Sequence, residues 1–316
     1  MQGHRIGIVG FGKIAQDQHA PAIRSDPAFE LVGAVSRHPV GALPGVPVFD
    51  DHRALLAAVP GLDAVAVCTP PGVRHRVARD ALEAGKHVLL EKPPAATLGE
   101  VADLERRAAA AGRVLFAAWH SRFNPAVEAA RARLAGHAVR RLAVTWKEDV
   151  RRWHPWQRWI WEPGGFGVFD PGINALSILT RILPWPLFVK RAELLFPANR
   201  EAPIAAKLAF GDGSGEAAEL GFAEFDWRQA GAQSWDILVE TGAGTALRLS
   251  EGGRRLEVDG RAVDTQDDGT GEYGLVYRAF DRLLRDGRSE ADAAPLRLVA
   301  DAFLVGRRRE VEPFDD

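Results

Sequence analysis

Along the first 125 or so residues, short apolar runs alternate with amphipathic stretches. The apolar runs predict strands over 5–9, 30–35, 63–68, 86–90 and 113–118. Apolar residues at helical spacing predict helices over 51–56, 73–84 and 97–111, the last of them opened by a Thr97–Glu100 capping box. Strands that alternate with helices are typical of right-handed βαβ crossovers. We therefore expect an α/β domain with a parallel sheet over residues 1–122.

Beyond residue 125 the pattern changes. It predicts a helix over 127–134, a strand over 140–149, a passage rich in Trp, Pro and Gly, and a helix over 171–182. From 189 to 263, alternating strands are separated by hairpin-type turns at Gly211-Asp212-Gly213, Gly242-Ala243-Gly244, Gly252-Gly253 and Asp259-Gly260. Helices over 272–286 and 295–309 close the chain. We expect residues 123–316 to form an α+β domain with an open, mainly antiparallel sheet.

An open sheet that helices cover on one face leaves its other face free. In a chain of 316 residues such a face commonly pairs with a second copy of itself. We therefore expect a homodimer through the open sheet.

The turn after the first strand carries a dinucleotide-binding fingerprint. The strand His4–Val9 runs directly into Gly10-Phe11-Gly12-Lys13-Ile14-Ala15, which reads G-x-G-x-x-A. Gly10 makes the tight turn, and Gly12 lets the backbone approach a pyrophosphate held at the helix N-terminus. The first domain is thus predicted to be a Rossmann domain that binds its cofactor at Gly10, Gly12, Lys13 and Ile14. A glycine-rich turn without a ligand is the alternative.

The tip of the second strand bears on the choice of cofactor. An NAD enzyme places a carboxylate there, roughly 20 residues past the glycines, on the ribose 2′-hydroxyl. This chain has Ser36-Arg37-His38 instead. A hydroxyl and a guanidinium suit a 2′-phosphate. We expect NADP to be preferred and NAD to be usable, with a solvated loop arginine as the alternative.

Two further motifs follow the third and fourth strands, at the edge where open α/β sheets bind ligands. They are Thr69-Pro70-Pro71 and Glu91-Lys92-Pro93. Lys92, fixed by the proline after it, can reach the nicotinamide edge and a substrate hydroxyl. A surface lysine in a turn is the competing interpretation.

Composition narrows the function classes. The chain has 40 Lys and Arg against 42 Asp and Glu, so its net charge of −2 gives no long-range attraction for nucleic acid or an anionic membrane. Although Trp and Arg interleave between Trp146 and Trp161, as in proteins that stack single-stranded nucleic acid, we expect no nucleic-acid partner. No signal peptide or membrane-length apolar run occurs, which predicts a cytoplasmic protein. The basic run Arg307-Arg308-Arg309 would end the last helix, where the dipole favours cations.

Metal and disulfide chemistry have little support in the sequence. Cys68 is the single cysteine, so no intramolecular disulfide can form. The spacings H-x-x-x-H and C-x-x-C do not occur, and we predict no metal site.

Taken together, the motifs resemble the family of glucose-fructose oxidoreductase, inositol dehydrogenase and rhizopine-catabolism proteins. The resemblance rests on the glycine turn, on Thr69-Pro70-Pro71 with His75, and on Glu91-Lys92-Pro93. The segments 146–155, 159–165 and 167–176 resemble the branch of bacterial L-arabinose and D-galactose 1-dehydrogenases. The resemblance implies that a nicotinamide cofactor, bound also by Thr69, Pro70, His75, Glu91 and Lys92, oxidises a monosaccharide at C1 to its lactone.

Within that resemblance, Asp170 is the candidate base for the O1 proton. Asn174 lies four residues on, shares its helix face and can bind the same sugar. The family usually has an acid/base histidine at the position of Asn174, and asparagine cannot take that role. Lys92 is the other candidate base, and a helix-capping role for Asp170 is the alternative.

The predicted sugar-binding residues combine aromatic faces with polar groups, because tryptophan stacks on the C–H patches of a pyranose. We assign His120, Glu148, Trp153 and Trp235 to this role, with Trp227 as the rival of Trp235. Core packing is the alternative for these tryptophans.

Two other functions stay open. One is a catalytically silent regulator that senses a sugar or a nucleotide on the same scaffold, which would not need both Lys92 and Asp170. The other is an oxidoreductase for an inositol or a nucleotide-linked sugar, for which Arg151 and Arg152 leave some room.

Overall fold

The structure, a computed structural model, describes residues 3–37, 43–155, 157–212, 219–265 and 267–315. The chain forms two compact units. Unit 1 consists of Met1–His120 and Thr270–Ala293, and unit 2 of Ser121–Gly269 and Ala294–Asp316. The predicted division at 122/123 lies two residues from the boundary between units at 120/121, and residues 270–293, which the prediction placed in the second domain, belong to unit 1.

Unit 1 is built on a parallel sheet. Its strands are β1 (His4–Val9), β2 (Phe29–Val35), β3 (Val48–Phe49), β4 (Ala64–Val67), β5 (His87–Glu91) and β6 (Leu115–Ala118). Among the described residues the strand order is β3-β2-β1-β4-β5-β6, and the paired strands run parallel. Both faces are covered, so residues such as Ile6, Val65 and Leu89 are fully buried. The five predicted strands are confirmed, and β3 was not predicted.

The helices of this part of the chain follow the predicted crossovers. They are a π-helical turn (Ala15–His19), α1 (Ala20–Ser25), α2 (His52–Ala58), α3 (Pro71–Glu83) and α4 (Leu98–Ala111), followed by a 3-10 turn (His120–Phe123). The Thr97 hydroxyl accepts the Glu100 N–H at 3.2 Å and the Glu100 carboxylate accepts the Thr97 N–H at 3.2 Å, so the predicted capping box forms. Gly112 ends α4 in a left-handed conformation with φ +60°.

Unit 2 contains a second sheet and its helices. The helical elements are α5 (Pro125–Leu134), α6 (Val150–Trp153), a 3-10 turn (Arg158–Trp161) and α7 (Phe169–Ile182). The strands are β7 (Val139–Lys147), β8 (Phe188–Pro197), β9 (Ala205–Gly211), β10 (Gly221–Asp226), β11 (Ser234–Thr241), β12 (Ala246–Ser250), β13 (Arg255–Val258) and β14 (Arg261–Val263). The predicted turn at 211–213 runs into residues 213–218, which lie outside the described part of the chain.

The chain ends with α8 (Gly271–Asp286), α9 (Ala294–Val305) and β15 (Gly306–Val311). Within the described ranges the second sheet has the order β14-β13-β12-β11-β7-β10-β9-β8-β15. Its pairs are antiparallel except for β7 with β10 and β8 with β15. The predicted open, mainly antiparallel sheet is confirmed.

The two faces of the second sheet differ in composition. On β7, Leu142, Val144 and Trp146 are buried on the face that packs under α5, α7 and α9. Arg141 and Lys147 alternate with them on the other face, together with the partly exposed Ala143 and Thr145. This period-2 pattern shows that helices cover only one face.

Helix α8 returns the chain to unit 1 because of its aromatic residues. The Phe280 ring stacks on Phe29 and Phe116, with ring centres 6.0 Å apart in both pairs. Tyr277 packs edge-on against Phe29 at 5.3 Å. Local periodicity predicts this helix but not the partner that buries its apolar face.

The last predicted helix, over 295–309, is wrong in its final four residues. Residues 306–311 form β15, which pairs with β8 from Gly306↔Ala192 to Val311↔Pro197. Gly306 is a weak helix former, and the free edge of β8 offers a ladder of backbone hydrogen bonds that outweighs helical propensity. The dipole explanation for Arg307-Arg308-Arg309 therefore fails. The Arg309 guanidinium instead lies 3.5 Å from the Glu193 carboxylate.

In the described residues every helix is too short or too polar to cross a bilayer.

Candidate active site

The glycine turn after β1 has the shape that a dinucleotide requires. Gly10 has φ +90°, and a Cβ there would lie 2.8 Å from the Thr69 nitrogen, so only glycine fits. At Gly12 a Cβ would meet nothing within 4 Å, which leaves open space beside the turn. Lys13 and Ile14 are exposed there, and the Lys13 ammonium is paired with Asp17. These residues fit the pyrophosphate of a nicotinamide dinucleotide.

The residues at the tip of β2 bear on the choice between NADP and NAD. The Ser36 N–H donates to the Phe49 carbonyl at 3.0 Å, and Arg37 is exposed. His38, which follows, lies outside the described residues. An exposed guanidinium beside a hydroxyl suits a 2′-phosphate but does not exclude NAD.

The loops after β4 and β5 contain the other predicted cofactor residues. Thr69 is partly exposed and Pro70 is exposed, as a ligand-binding edge requires. His75 points elsewhere: its Nε2 lies 2.9 Å from the Asp103 carboxylate, so its ring bridges α3 and α4. The hydrogen bonds from Arg107 and His75 lower the pKa of Asp103 to about 2.

Glu91 is buried, and its carboxylate turns into unit 1. The Tyr273 hydroxyl donates to its Oε1 at 2.5 Å, and the His19 Nε2 lies 3.1 Å from the same oxygen. Oε2 accepts the Lys92 N–H at 2.7 Å. His19 reaches the Tyr277 hydroxyl with Nδ1 at 2.8 Å. Both Glu91 oxygens are therefore engaged by groups inside unit 1.

The His19–Glu91 pair favours its ionised form. Burial raises the pKa of Glu91, but the hydrogen bond and charge of His19 outweigh it and hold that pKa well below its ordinary value. Burial lowers the pKa of His19, and the acidic groups of Cys68, Tyr277 and Glu91 outweigh this effect, so the pKa is raised. Burial also raises the pKa of Tyr277, to about 12.

Lys92 and His120 complete the candidate residues of unit 1. Lys92 is half-buried and precedes a cis peptide bond to Pro93. His120 forms a short contact between its Nδ1 and the Glu272 carboxylate, and its ring stacks on Tyr273 with centres 5.3 Å apart.

In unit 2, Asp170 occupies the first turn of α7. It is only 4% exposed, and its backbone N–H donates to the Gly167 carbonyl at 2.8 Å. Asn174, one turn further along, is partly exposed. A carboxylate in the first turn is stabilised by the positive end of the helix dipole. Asp170 and Asn174 thus both lie in α7, one turn apart.

Glu148 anchors the tryptophans of unit 2. The Trp235 indole donates to Oε2 at 2.9 Å and the Trp227 indole to Oε1 at 3.3 Å. Both of the alternative tryptophans therefore contact Glu148. Trp235 is partly exposed, whereas Trp227 is fully buried. Trp153 is 40% exposed and packs its ring edge-on against Trp235 at 5.8 Å.

His154 lies close to the carboxylates of both Asp170 and Glu148, and it was not predicted as a site residue. Its Nε2 lies 3.6 Å from the Asp170 Oδ2 and 3.8 Å from the Glu148 Oε1. An imidazole beside two carboxylates can accept a proton and pass it on. Its only sequence signal is its place in Trp153-His154-Pro155, since the residues it meets are 6 and 16 positions away.

Within the described ranges, no three His, Cys, Asp or Glu side chains converge to hold a metal ion.

Comparison with known proteins identifies the family. Residues 4–119 match the family model described as "Oxidoreductase family, NAD-binding Rossmann fold". Over 317 aligned residues the chain is 48% identical to galactose 1-dehydrogenase of Pseudomonas fluorescens, and the alignment covers 100% of both proteins. The chain belongs to the glucose-fructose oxidoreductase, inositol dehydrogenase and rhizopine-catabolism family. It is an oxidoreductase, and the predicted family is confirmed.

Two solved structures agree with the fold. The D-galactose-1-dehydrogenase protein from Rhizobium etli superposes with a TM-score of 0.91 at 53% identity, over 100% of this chain and 99% of that one. A 3-ketoreductase from Actinomadura kijaniata, solved with NADP, gives a TM-score of 0.82 at 19% identity over 98% and 99% of the two chains. At that identity it shows the shared fold alone.

Proposed function

We propose that this oxidoreductase is an NAD(P)-dependent aldose 1-dehydrogenase that oxidises D-galactose and L-arabinose at C1 to the aldonolactone. The observation that carries the proposal is the full-length 48% identity to galactose 1-dehydrogenase. The buried Asp170 and the carboxylate–tryptophan cluster around Glu148 supply the base and the sugar-binding groups that this reaction needs.

The reaction removes a hydride from C1 and a proton from O1 of the cyclic sugar, so that a C1=O bond forms and the existing ring becomes a lactone. A bound nicotinamide dinucleotide supplies the oxidant by accepting the hydride. Asp170 accepts the O1 proton, and Asn174 hydrogen-bonds the sugar from the next turn of the same helix. Lys92 orients O1 and is the alternative proton acceptor.

Sugar binding falls to the aromatic and polar groups of the site. The faces of Trp153 and Trp235 stack on the C–H patches of the pyranose, and Glu148 and His120 bind hydroxyls. D-Galactose and L-arabinose share ring stereochemistry from C1 to C4 and differ by one hydroxymethyl group. Such a group changes binding in a well-filled site by only about 1–3 kcal/mol, so we propose that both are substrates.

For the cofactor, we propose a preference for NADP over NAD. The exposed Arg37 and the neighbouring Ser36 offer charge and a hydroxyl to a 2′-phosphate, and the sequence Ser36-Arg37-His38 contains no carboxylate that would repel it. Gly10, Gly12, Lys13, Ile14, Thr69 and Pro70 hold the rest of the dinucleotide.

We also propose a cytoplasmic homodimer that forms through the open face of the second sheet. Phe222 of β10 is 42% exposed on this face. Around it, ion pairs such as Lys147–Glu224 at 2.8 Å alternate with small residues. A mixed apolar and charged sheet face supports pairing with an identical face.

The test measures initial rates of nicotinamide reduction with D-galactose, L-arabinose and D-glucose, each with NADP and with NAD. It compares the wild type with Asp170→Asn. Asp259→Asn is the matched control, because Asp259 has φ +50°, which asparagine tolerates, and its cap of the Ala246 N–H needs only one oxygen. Turnover of the first two sugars that Asp170→Asn lowers at least about 100-fold, with the control unchanged, supports the proposal. Saturable cofactor binding without turnover of any sugar rejects it in favour of a regulator or another substrate.

A further inference from the structure

The backbone around Lys92 is held on both sides by buried charged side chains. We propose that Arg74 and Glu91 form a clamp that positions Lys92, with Arg74 holding the carbonyls that flank it and Glu91 holding its amide. The inference rests on the proposed role of Lys92 in sugar oxidation and names the residues that act through it.

Arg74 supplies the first half of the clamp. It lies in α3, is only 3% exposed, and donates from Nη1 to the Glu91 carbonyl at 2.7 Å. The same nitrogen bonds the Pro93 carbonyl, and Nη2 bonds the Thr69 carbonyl. One guanidinium therefore connects the loops after β4 and β5 and hydrogen-bonds the backbone carbonyls of the residues directly before and after Lys92. A planar fork with several fixed N–H groups can do this, whereas a single ammonium cannot span the same carbonyls.

Glu91 supplies the second half. Its Oε2 accepts the Lys92 N–H at 2.7 Å, while Oε1 is fixed by the Tyr273 hydroxyl at 2.5 Å and by His19 at 3.1 Å. The braces come from distant parts of the chain, the π-helical turn after the glycine loop and helix α8. Through Glu91, the amide of Lys92 is thus tied to two distant elements of unit 1.

The choice of side chains argues for positioning rather than for stability alone. Burying a guanidinium and a carboxylate is costly, and apolar side chains of similar volume would often be as stabilising. The Arg74 bonds end on backbone carbonyls of residues 69, 91 and 93, and one Glu91 oxygen ends on the amide of residue 92. Placement of a reacting group is sensitive to such restraints, since a displacement of about 1 Å can cost about 100-fold in rate.

The experiment compares Arg74→Met and Arg74→Lys with Arg76→Met. Arg76 is exposed on the same helix, so its replacement is the matched control. The first readout is amide hydrogen exchange of the peptide spanning residues 87–97 in the protein without added ligand. The second is kcat and KM for D-galactose with NADP. Melting curves establish that each variant is folded.

With Arg74→Met we expect exchange in this peptide to accelerate at least about 10-fold, because the loop opens without global unfolding. We expect kcat to fall about 10- to 100-fold with KM for the sugar within about threefold of wild type, and Arg74→Lys to be intermediate. Arg76→Met should match the wild type. Unchanged exchange and kcat in folded Arg74→Met would overturn the clamp.

If Arg74→Met does not fold, the clamp is tested with Tyr273→Phe, because this variant removes only the hydroxyl that hydrogen-bonds Glu91. Faster exchange of the same peptide together with a lower kcat supports the clamp, and wild-type values of both overturn it. If the wild type oxidises no sugar, the proposed function fails, whereas the exchange experiment still tests whether Arg74 holds the loop.

Discussion

The indole N–H of Trp235 donates a 2.9 Å hydrogen bond to the carboxylate of Glu148. The bond fixes a partly exposed aromatic face and a buried acid relative to one another before any sugar arrives. Preorganisation of this kind lowers the ordering cost of binding.

Replacing Trp235 by phenylalanine keeps an aromatic face but removes the donor. We expect KM for D-galactose to rise about 10-fold with kcat little changed, because one hydrogen bond to a charged group is worth about 1.5–3 kcal/mol. Steady-state kinetics measure this, with Trp185→Phe as the control at a half-buried tryptophan. A change in kcat alone would contradict a binding role.

His154 faces both Asp170 and Glu148, at 3.6 and 3.8 Å. For His154→Gln we expect kcat/KM to fall about 10-fold, since glutamine cannot exchange a proton as an imidazole beside two carboxylates can. The exposed loop residue His137 provides the control, His137→Gln. Equal kinetics for both variants would show that His154 has no part in the reaction.

Arg37 is expected to distinguish the two cofactors. In Arg37→Ala we expect KM for NADP to rise about 10-fold and KM for NAD to stay unchanged, because only NADP carries the 2′-phosphate that a guanidinium binds. Rates measured with each cofactor at saturating sugar give the comparison. Parallel losses for both would place Arg37 outside the 2′-phosphate site.

The buried His19–Glu91 pair makes stability depend on pH. Glu91 has a lowered pKa, so its contribution is complete above its ordinary pKa of 4.5 and is lost as pH falls through the lower folded-state value. His19 has a raised pKa, so its contribution is complete below 6.5 and is lost as pH rises through the higher folded-state value. The full contribution of the pair therefore spans pH 4.5 to 6.5.

Urea unfolding of His19→Gln tests this dependence. We expect a loss of about 3 kcal/mol in the free energy of unfolding between pH 4.5 and 6.5, and a smaller loss in alkaline solution. A loss that is constant from pH 5 to pH 10 would mean that the pair is not ionised in the folded protein.

The proposed dimer predicts that a charge on the open sheet face halves the mass of the protein in solution. Phe222→Glu places a charge on the open sheet face, and we expect light scattering to report 34.3 kDa instead of twice that value. Leu304→Glu is the control, since Leu304 is 82% exposed at the end of α9, on the covered side of the sheet. A wild-type mass of 34.3 kDa would exclude the dimer itself.

Local signals account for the parts of the structure that the sequence could predict. Gly10 sits in a turn whose conformation only glycine permits, and Thr97 and Glu100 cap a helix from three residues apart. The alternating burial along β7 likewise follows from period-2 patterning.

What escaped prediction depends on contacts between distant segments. His19 meets Glu91 and Tyr277 across 72 and 258 positions, and nothing near His19 in the sequence marks it as buried. Residues 306–311 follow an apolar helix and still become a strand, because the edge of β8 is available only in the folded protein. The helix over 271–286 was predicted, but its place in unit 1 was not, because helical periodicity does not show which segment a helix packs against.

That helix also sets an order of events during synthesis. Phe29 and Phe116 are covered by Phe280, so the ribosome must make all of 121–269 before the nucleotide-binding unit can close its aromatic core. Until then the nascent Rossmann sheet exposes an apolar surface, which makes it a candidate for chaperone contact. A gene fragment that stops at residue 120 would lack α8 and retain that surface permanently.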